Sequence, residues 1–399
     1  MTSKTYCPLP FVHLNIGPRS TVTPCCHFDD KIDDTQEDIR FTDIKDINRS
    51  KKWRTLQKDL VMGKKPAGCH KCYTTEDSGI VSQRQYAINT WGDKIVTPDI
   101  KSLELKLGAK CNLACRTCSS DSSNKWLKEE SLLWFGNINK EWMKQKQSLS
   151  HWASDEDFWN NLHDISHNLE SITFTGGEPM LISEHFKYLE WLANNNINPV
   201  IDYITNATVP LSTVKSVFDR FEKISMSLSI DAVGRLSNYI RTGSEWEELY
   251  TNIKDYAEYF RENGHKIDIS TTVSVLNVHK IGQMAKLATS LNIKWYLNFL
   301  TYPTWMQIQN LSEANKNIVI DNISKLNGVV REQDMKELYK IIKVLQSEPI
   351  IEESAEEIPI WRHILQRDYR HNRANPNRPL SFSRVEPAWW DNLIVNENY

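Results

Sequence analysis

The sequence predicts an α/β fold: a partial (β/α)6 barrel of the TIM-like type, preceded by a small hairpin-plus-helix domain at the N-terminus. From about Asp99 onward, short strand-like segments alternate with helical segments, a pattern typical of a parallel sheet with helical crossovers. The region before Asp99 has a different character, because it holds five of the eight cysteines and the other three follow by Cys118. All eight cysteines therefore lie in the first third of the chain, which indicates that a site built from thiol groups is located there.

The composition is that of an ordinary globular protein of 399 residues, with 40% hydrophobic and 25% charged residues. The net charge of -3 argues against a general binder of nucleic acids or membrane surfaces. No apolar run approaches the roughly 18 residues of a membrane helix, and Met1–Pro10 lacks the build of a signal peptide. We expect a cytoplasmic protein without membrane or nucleic-acid partners.

The N-terminal region predicts an irregular hairpin over residues 7–26, with an alternating run at 11–16 and a turn at 17–20. A helix is expected over Asp46–Val61. The hairpin brings Cys7 near the adjacent Cys25 and Cys26, and a Cys-x-x-Cys pair follows the helix, so four sulfurs can converge on one closed centre. Spacing alone leaves both zinc and an iron–sulfur cluster open for this centre.

Six strands and four helices are predicted after Asp99. Functional sites on such sheets lie at the carboxyl ends of the strands. The strands are Ser102–Leu107, Ser171–Phe174, Pro199–Thr205, Lys223–Ile230, Ile267–Val275 and Lys294–Phe299, and the helices are His185–Asn194, Leu211–Phe221, Trp246–Glu262 and Ile281–Leu291.

We divide the chain into an N-terminal domain (1–95), the barrel (96–305) and a helical and irregular C-terminal extension (306–399). Residues 119–168 exceed the needs of one crossover and hold five tryptophans, most of which we expect to be packing residues. The extension contains an acidic stretch and an arginine-rich tail, which we expect to be a solvated, partly irregular terminus. Pairing of the tail with the acidic stretch, or contact with a substrate, is the alternative.

A cysteine motif, Cys111-x3-Cys115-x2-Cys118, follows the first strand of the barrel. Three thiolates on one tight loop can hold three irons of a 4Fe-4S cluster and leave the fourth iron open to a substrate or cofactor. A structural zinc site needs four closed ligands, and a suitable fourth His or Cys is absent just downstream. The spacing therefore favours an iron–sulfur cluster.

A second motif, Gly176-Gly177-Glu178-Pro179, follows the second strand. Glycines at the end of a strand let a ligand approach the backbone closely, and a carboxylate beside exposed carbonyl groups suits an ammonium group. Taken alone, the motif is also compatible with a simple turn.

Together these motifs resemble the radical SAM superfamily, whose members bind S-adenosylmethionine on a three-cysteine iron–sulfur cluster. The resemblance covers about residues 100–300, and after the first two motifs it continues at 205–208, 227–231, 241–243 and 273–277. It implies that the reduced cluster cleaves S-adenosylmethionine, and that the resulting 5′-deoxyadenosyl radical abstracts a hydrogen atom from the substrate.

The resemblance also implies which residues hold S-adenosylmethionine. In one departure from many members of the superfamily, Thr117 stands where an aromatic residue precedes the third cysteine near the adenine. The implied contacts are Gly176, Gly177 and Glu178 for the ammonium group, Ser229 and Arg241 for the carboxylate, Asn206 for the ribose and the backbone of Val275 for the adenine.

The N-terminal region, over about residues 5–90, resembles the twitch or SPASM module that holds an auxiliary cluster in radical SAM enzymes. The module usually follows the barrel, whereas here it precedes it. The resemblance implies a second 4Fe-4S cluster, with Cys26 as a bystander because Cys25 directly follows Pro24, where the family ligand stands. The implied ligands are Cys7, Cys25, Cys69 and Cys72.

We expect a radical SAM oxidoreductase that modifies a peptide or protein and receives electrons from a donor such as flavodoxin or ferredoxin. A dehydrogenase or rearrangement enzyme acting on a small polar molecule is the first alternative. A noncatalytic iron–sulfur carrier or sensor and a zinc-stabilised adaptor are alternatives of other classes. Candidates for substrate contact are Glu104, Lys106, Tyr296, Asn298, Tyr302 and Trp305.

Overall fold

The computed structural model describes residues 4–29, 37–77, 79, 81–92, 98–148, 150–349 and 359–396. Its fold is mixed α/β with parallel strands and a sheet that does not close, which confirms the predicted fold class. None of the helices within these ranges is long and apolar enough to cross a membrane.

The described residues form nine strands. The last six are the strands predicted after Asp99, with ends that shift by at most two residues. The strands are β1 (His13–Ile16), β2 (Thr21–Thr23), β3 (Glu37–Asp38), β4 (Ser102–Lys106), β5 (Ser171–Thr175), β6 (Val200–Thr205), β7 (Ile224–Ser229), β8 (Lys266–Val273) and β9 (Lys294–Phe299).

Eighteen α-helices lie in the same ranges, together with short 3-10 turns. They are α1 (Leu9–Val12), α2 (Ile44–Ile47), α3 (Lys51–Val61), α4 (His70–Asp77), α5 (Gln83–Trp91), α6 (Leu127–Phe135), α7 (Lys140–Ser148), α8 (Glu156–Ser166), α9 (Ser183–Asn194), α10 (Leu211–Phe218), α11 (Arg235–Ile240), α12 (Trp246–Glu262), α13 (Ile281–Leu291), α14 (Glu313–Ser324), α15 (Glu332–Leu345), α16 (Ile360–Ala374), α17 (Phe382–Val385) and α18 (Pro387–Asn396).

The chain separates into two compact units. The first comprises Met1–Lys110, Gln145–Ile204 and Val214–Ser225, and the second comprises Cys111–Lys144, Thr205–Thr213 and Met226–Tyr399. The division at residues 95 and 305 stays a prediction.

In the first unit, the strand order is β3-β2-β1-β4-β5-β6. β1 and β2 form the predicted hairpin, in which Asn15 lies opposite Thr23. β1 also pairs in parallel with β4, from His13 opposite Ser102 to Ile16 opposite Leu105. The hairpin, which we had assigned to a separate domain, therefore extends the parallel sheet. All four residues of β1 are buried, as expected for a strand covered on both faces.

The helix predicted at Asp46–Val61 is two helices, α2 and α3. The hydroxyl of Ser50 accepts a hydrogen bond from the backbone N–H of Trp53 at 3.4 Å and thus begins α3. Trp53, Leu56 and Leu60 then form a buried stripe along α3. The stripe packs near the N-terminal cysteines, since Leu56 and Leu60 share one apolar cluster with Cys7.

Two of the five clustered tryptophans, Trp152 and Trp159, are buried in the first unit. Both rings contact Phe158 edge to face, with centroid distances of 4.7 and 5.2 Å. These two residues are packing residues, as expected.

In the second unit, β8 and β9 pair in parallel, with Asp268 opposite Lys294 and Val273 opposite Phe299. The C-terminal extension packs closely in this unit: α16 against α6, α17 against α11, and α18 against α14. The expectation of a solvated, irregular tail is wrong for residues 360–396, because apolar side chains such as Ile364 and Phe382 anchor them in the core. The glutamates of the acidic stretch at 352, 353, 356 and 357 lie outside the described residues.

A buried histidine, His185, joins α9 to β6 in the first unit. Its Nδ1 donates to the carbonyl oxygen of Ile182 at 2.5 Å, and its Nε2 accepts from the hydroxyl of Tyr203 at 2.8 Å. Burial lowers the pKa of His185 to about 3, so the folded protein keeps this imidazole neutral.

Acidification should therefore destabilise the first unit through His185. Below pH 6.5, the unfolded chain binds a proton at this imidazole, whereas the folded chain does so only near pH 3. The stability present above pH 6.5 is lost as the pH falls. We expect the free energy of unfolding of the parent to fall faster than that of His185→Gln, by up to about 1.4 kcal/mol per pH unit.

Urea denaturation between about pH 3 and pH 6.5 measures how the free energy of unfolding of the parent and of His185→Gln changes with pH. His13, whose pKa burial lowers to about 4, is present in both proteins, so its contribution cancels in the comparison. Parallel slopes for the parent and His185→Gln would contradict the prediction.

Candidate metal centres

The first candidate centre lies in the first unit, where four cysteines line one pocket. Cys7 and Cys72 are buried, Cys25 and Cys69 are partly buried, and none forms a disulfide. Cys26 is exposed and does not line the pocket. The remaining wall is largely apolar, with Leu9, Pro10, Pro24, Phe28 and Leu60.

Local hydrogen bonds place these cysteines. The carbonyl oxygen of Cys25 accepts from the hydroxyl of Thr23 at 3.0 Å and from the N–H of Phe28 at 3.2 Å, which curls the chain after β2. The N–H of Asp29 donates to the carbonyl of Gly68 at 2.9 Å and so joins the end of the hairpin to the Cys69 turn. Two distant segments thus bring their sulfurs to one pocket.

The chemistry of this pocket fits a cluster with four sulfur ligands. Burial and the nearby Cys25 raise the pKa of Cys7 well above its usual value, and burial raises the pKa of Cys25 to about 12. Thiolates in this pocket therefore need a positive partner. Arg84 lies at the pocket wall, where its Nη1 donates to the carbonyl of Tyr6 at 2.9 Å, but its charge is paired with Glu76. Among the described residues, no three His, Cys, Asp or Glu side chains are arranged to hold a single metal ion.

The second candidate centre is the loop of Cys111, Cys115 and Cys118 in the second unit. Cys111 is buried and the other two cysteines are partly buried. The loop is held against the end of α11, because the N–H of Ala114 donates to the carbonyl of Thr242 at 2.8 Å. Gly243 passes close to the loop, and a Cβ added there would lie 3.1 Å from the carbonyl oxygen of Asn112.

Helix α6 and the turn before it fix the other side of the cysteine loop. Trp126 Nε1 donates to the carbonyl of Cys115 at 3.1 Å, and the N–H of Cys111 donates to Asn124 Oδ1 at 3.3 Å. Arg116, between the second and third cysteines, is fully buried and pairs with Glu129 of α6 at 3.3 Å.

The arginine-rich tail reaches the same buried network. Nδ1 of His371 on α16 contacts Glu129 Oε1 at 2.5 Å. The guanidinium groups of Arg116 and Arg367 lie 5.0 and 4.6 Å from the ring centroid of Trp126. Burial, together with the neighbouring Arg116, lowers the pKa of Arg367 to about 10. No motif in the sequence predicted this network; the four-residue spacing of Arg367 and His371, which places them on one helical face, is a weak signal for it.

Two of the predicted S-adenosylmethionine residues lie beside the cysteine sulfurs of the second unit. Arg241 Nη1 is 3.8 Å from Cys115 Sγ, and Asn206 Nδ2 is 3.8 Å from Cys111 Sγ. Arg241 also pairs with buried Asp231, with 3.0 Å between Nε and Oδ2. Asp231 is the last residue of the motif at 227–231, but the sequence did not indicate that it would pair with Arg241.

The other two predicted residues of this unit have different surroundings. Ser229 ends β7 and is partly buried. Val275 is fully buried; its N–H donates to the carbonyl of Met306 at 2.9 Å, and its carbonyl accepts from Trp389 Nε1 at 3.0 Å. Neither residue hydrogen-bonds a cysteine side chain within the described part of the chain. The C-terminal extension thus holds the backbone that we had expected beside the adenine.

Gly176, Gly177 and Glu178 lie in the first unit, against the segment that leads from β4 to the cysteine loop. The N–H of Gly177 donates to the carbonyl of Gly108 at 3.0 Å, and that of Glu178 donates to Lys110 at 2.9 Å. A Cβ on Gly177 would lie 2.3 Å from the Lys110 carbonyl oxygen, so only glycine permits this approach. Lys110 immediately precedes Cys111 in the sequence.

Residues 7–73 match a family model described as SPASM, an iron–sulfur cluster-binding domain. This part of the chain is similar to that domain. The match supports the predicted likeness of the N-terminal region to the SPASM module, a family that binds an iron–sulfur cluster. The assignment of individual ligands stays a prediction.

Two solved structures show partial likeness to the chain. One is native anSMEcpe with bound AdoMet and the Cp18Cys peptide, at 17% identity over 56% of this chain and 58% of that chain, with a TM-score of 0.36. The other is SuiB of Streptococcus suis bound to the precursor peptide SuiA, at 14% identity over 71% and 58%, with a TM-score of 0.35. The chain thus spans less than two thirds of either protein. No curated protein matches it in sequence.

Cys26, the exposed cysteine of the region that matches the SPASM model, contacts a charged pair on β4. Glu104 hydrogen-bonds the Cys26 side chain and lies 3.6 Å from the ammonium group of Lys106. Burial, followed by the charge of Glu104, raises the pKa of Cys26 to about 12. Two predicted substrate contacts, Glu104 and Lys106, therefore lie together on one face of β4.

The four other predicted substrate contacts belong to the second unit. Tyr296 and Tyr302 are exposed, and Asn298 Nδ2 donates to Ser270 Oγ at 2.5 Å. Trp305 stacks on His363 of α16, with a centroid distance of 5.0 Å. Trp305 is therefore engaged by the C-terminal extension.

The close approach at Gly177 predicts a steric effect. Gly177→Ala should lower the free energy of unfolding by about 1–3 kcal/mol, because the added Cβ displaces the Lys110 backbone. Gly92→Ala is the matched control in the first unit: its φ of +85° causes strain, but nothing lies within 4 Å of the added Cβ. Urea denaturation compares the two variants. A Gly177→Ala variant as stable as the parent would show that the two loops can move apart.

Proposed function

We propose that the chain is a radical SAM enzyme that reductively cleaves S-adenosylmethionine and abstracts a hydrogen atom from a peptide or protein. The observation that carries this proposal is the position of Arg241 and Asn206, whose side chains each lie 3.8 Å from a sulfur of the three-cysteine loop. A carrier of electrons has no use for these residues beside its cluster, so their position favours an enzyme.

Cys111, Cys115 and Cys118 would hold the 4Fe-4S cluster that binds S-adenosylmethionine. The loop fits this group because its sulfurs are not in disulfides, are at least partly buried, and face a buried arginine that offsets thiolate charge. Bound together there, the cluster and S-adenosylmethionine supply a 5′-deoxyadenosyl radical after one-electron reduction.

The side chains of the second unit bind and orient the cofactor in this proposal. Asp231 fixes Arg241 through Nε, which leaves the guanidinium Nη groups to donate hydrogen bonds to the carboxylate of S-adenosylmethionine. Asn206 is oriented by Asn112, whose Oδ1 accepts from Nδ2 at 3.0 Å. Ser229 would be a second donor to the carboxylate, Asn206 a contact of the ribose and Val275 a contact of the adenine.

In the first unit, Gly176, Gly177 and Glu178 would receive the ammonium group. Glu178 is almost fully buried, and its Oε1 accepts from the N–H of Met180 at 3.2 Å. A carboxylate fixed in this way attracts an ammonium group without first having to be ordered. The tight packing of both glycines brings the backbone of this loop next to the segment before Cys111.

Cys7, Cys25, Cys69 and Cys72 would hold a second 4Fe-4S cluster in the region that matches the SPASM model. Four sulfurs around an apolar pocket support a closed site, which receives or delivers electrons rather than binding substrate. The match to the SPASM model favours iron–sulfur over zinc. In this proposal, domain boundaries at residues 95 and 305 separate the auxiliary domain, the barrel and the extension, and the protein works in the cytoplasm.

The substrate class rests on the SPASM resemblance, because peptides and proteins are common substrates of that group. A second candidate is a dehydrogenase or rearrangement enzyme for a small polar molecule. The partly buried pair Glu104 and Lys106 favours this candidate, since it offers both an acceptor and a cationic donor on one face of β4.

Iron content tests the two proposed clusters. We expect about eight irons in the parent protein after anaerobic purification, and about four in either Cys111→Ala or Cys72→Ala, because each variant loses one cluster. Cys26→Ser is the matched control, because Cys26 is exposed outside the cysteine pocket, and it should retain about eight.

Reduction of each protein in the presence of S-adenosylmethionine then tests the activity. We expect 5′-deoxyadenosine from the parent and from Cys26→Ser, and none from Cys111→Ala. Equal product from the parent and Cys111→Ala would overturn the enzyme proposal, and about four irons with one zinc in the parent would overturn the second cluster.

Substitution of Arg241 tests the binding role separately. Arg241→Lys keeps the charge near Asp231 but loses the planar donor pair, so we expect the Kd for S-adenosylmethionine to rise at least about tenfold with unchanged iron content. Arg235→Lys is the control, because Arg235 is an exposed residue at the start of α11, the helix that ends just before Arg241, and this variant should bind as the parent does. Anaerobic titration calorimetry measures both. An unchanged Kd for Arg241→Lys would remove Arg241 from the site.

A further inference from the structure

An exposed aromatic surface lies on the far end of α6 and the start of α7, in the second unit. Leu133, Trp134, Phe135 and Ile138 are 50%, 67%, 44% and 41% exposed. Phe135 packs edge to face on Trp142 with a centroid distance of 5.7 Å. We call these five residues the aromatic patch. Clustered large apolar side chains of this kind typically mark an interaction surface.

The charges around the aromatic patch are mostly positive. The acidic side chains of α6 are turned inward, since Glu129 pairs with Arg116, and Glu130 accepts from the N–H and hydroxyl of Ser120 at 2.6 and 2.5 Å. Glu141 is the remaining acidic residue of this segment, and it is exposed. Four exposed lysines have no ion-pair partner within the described part of the chain: Lys125, Lys128, Lys140 and Lys144. The surface is thus basic on a protein whose net charge is -3.

Helix α6 connects the aromatic patch rigidly to the three-cysteine loop. Glu129 of α6 pairs with Arg116 of the loop, and the turn that leads into the helix makes three hydrogen bonds to the same loop. One of them is donated by Ser123 Oγ to the carbonyl of Leu113 at 2.5 Å. The helix has 9 residues, so it spans about 14 Å at roughly 1.5 Å per residue. The patch therefore lies one short helix away from Cys115.

We propose that the aromatic patch and its lysines dock an acidic electron-transfer protein of the flavodoxin or ferredoxin class, which reduces the cluster on Cys111, Cys115 and Cys118. The inference rests on the proposed function, which needs one electron from outside for each cleavage. In this step the donor loses one electron and the cluster gains it, and no bond or proton moves. The lysines attract the acidic donor, and the apolar side chains form the centre of the contact.

Charge reversal tests the docking surface. We compare the parent with the triple variant K128E/K140E/K144E and with Trp134→Ala. The matched control reverses three exposed lysines on β8, α13 and α15, as K266E/K286E/K343E. None of the substituted residues belongs to the proposed cofactor sites, so all four proteins should contain the same iron.

Binding is measured first, as the Kd of purified flavodoxin and ferredoxin for each iron-loaded protein at low and high salt. We expect salt-sensitive binding of at least one donor to the parent and the control, and a Kd at least about tenfold higher for the triple variant and for Trp134→Ala. Equal affinity of the parent and the triple variant would overturn the proposal. The proposal would also be overturned if neither donor binds the parent. The same holds if a single-stranded RNA binds the parent more tightly than either donor and the triple variant loses this RNA binding.

Cleavage then separates this inference from the proposed function. With the bound flavodoxin or ferredoxin as sole reductant, 5′-deoxyadenosine formation by the triple variant should fall at least about tenfold. With dithionite, which needs no docking surface, the parent and the triple variant should be equal. If the parent forms no 5′-deoxyadenosine with dithionite, the proposed function is refuted. If the parent and the triple variant form it at equal rates with the protein donor, only the docking surface is refuted.

Discussion

The structure of the first unit depends on the parallel pairing of β1 with β4. This ladder places the hairpin of β1 and β2 on the strand whose sequence continues into the three-cysteine loop. Its start is reinforced by side chains, because His13 Nδ1 contacts Ser102 Oγ at 3.0 Å and Ser171 Oγ donates to the same hydroxyl at 2.9 Å. Cys7 precedes β1 and Cys25 follows β2. A change in the register of β1 against β4 would therefore move both cysteines. The auxiliary pocket is therefore a product of the sheet as well as of the cysteine spacing.

The second unit depends on buried charge. Arg116 is enclosed beside the cysteine loop, and Glu129 balances it while also contacting His371 of the C-terminal extension. Removing one member of such a set leaves an uncompensated charge in the core, which typically costs about 3–5 kcal/mol. The C-terminal extension is thereby bound to the loop that would hold the cluster. Trp389 gives it a second attachment at Val275, so α18 contacts the proposed cofactor site directly, whereas α16 is linked to the cysteine loop through Glu129.

The sequence predicted those parts of the fold and site that local patterns encode. Alternation and turn residues located β4 to β9, and the spacing of Cys111, Cys115 and Cys118 located the central loop. The pairing of β1 with β4 was missed, because the partners are 89 residues apart at His13 and Ser102 and no local signal sets their register. The packing of the partly buried Arg367 of α16 was missed because charged residues are usually solvated, and only a distant partner such as Glu129 reverses that expectation. Asp231 escaped notice because its role exists only once Arg241 lies beside it.

The contact between Glu129 and His371 joins residues 242 positions apart. At a synthesis rate of roughly 5–20 residues per second, about 12 to 48 seconds pass between the emergence of α6 and that of α16. During this interval Glu129, which balances the buried Arg116, still lacks its contact with His371. The buried charge network beside the three-cysteine loop can therefore be completed only after α16 has been synthesised, so the packing of this region does not follow the order of the sequence.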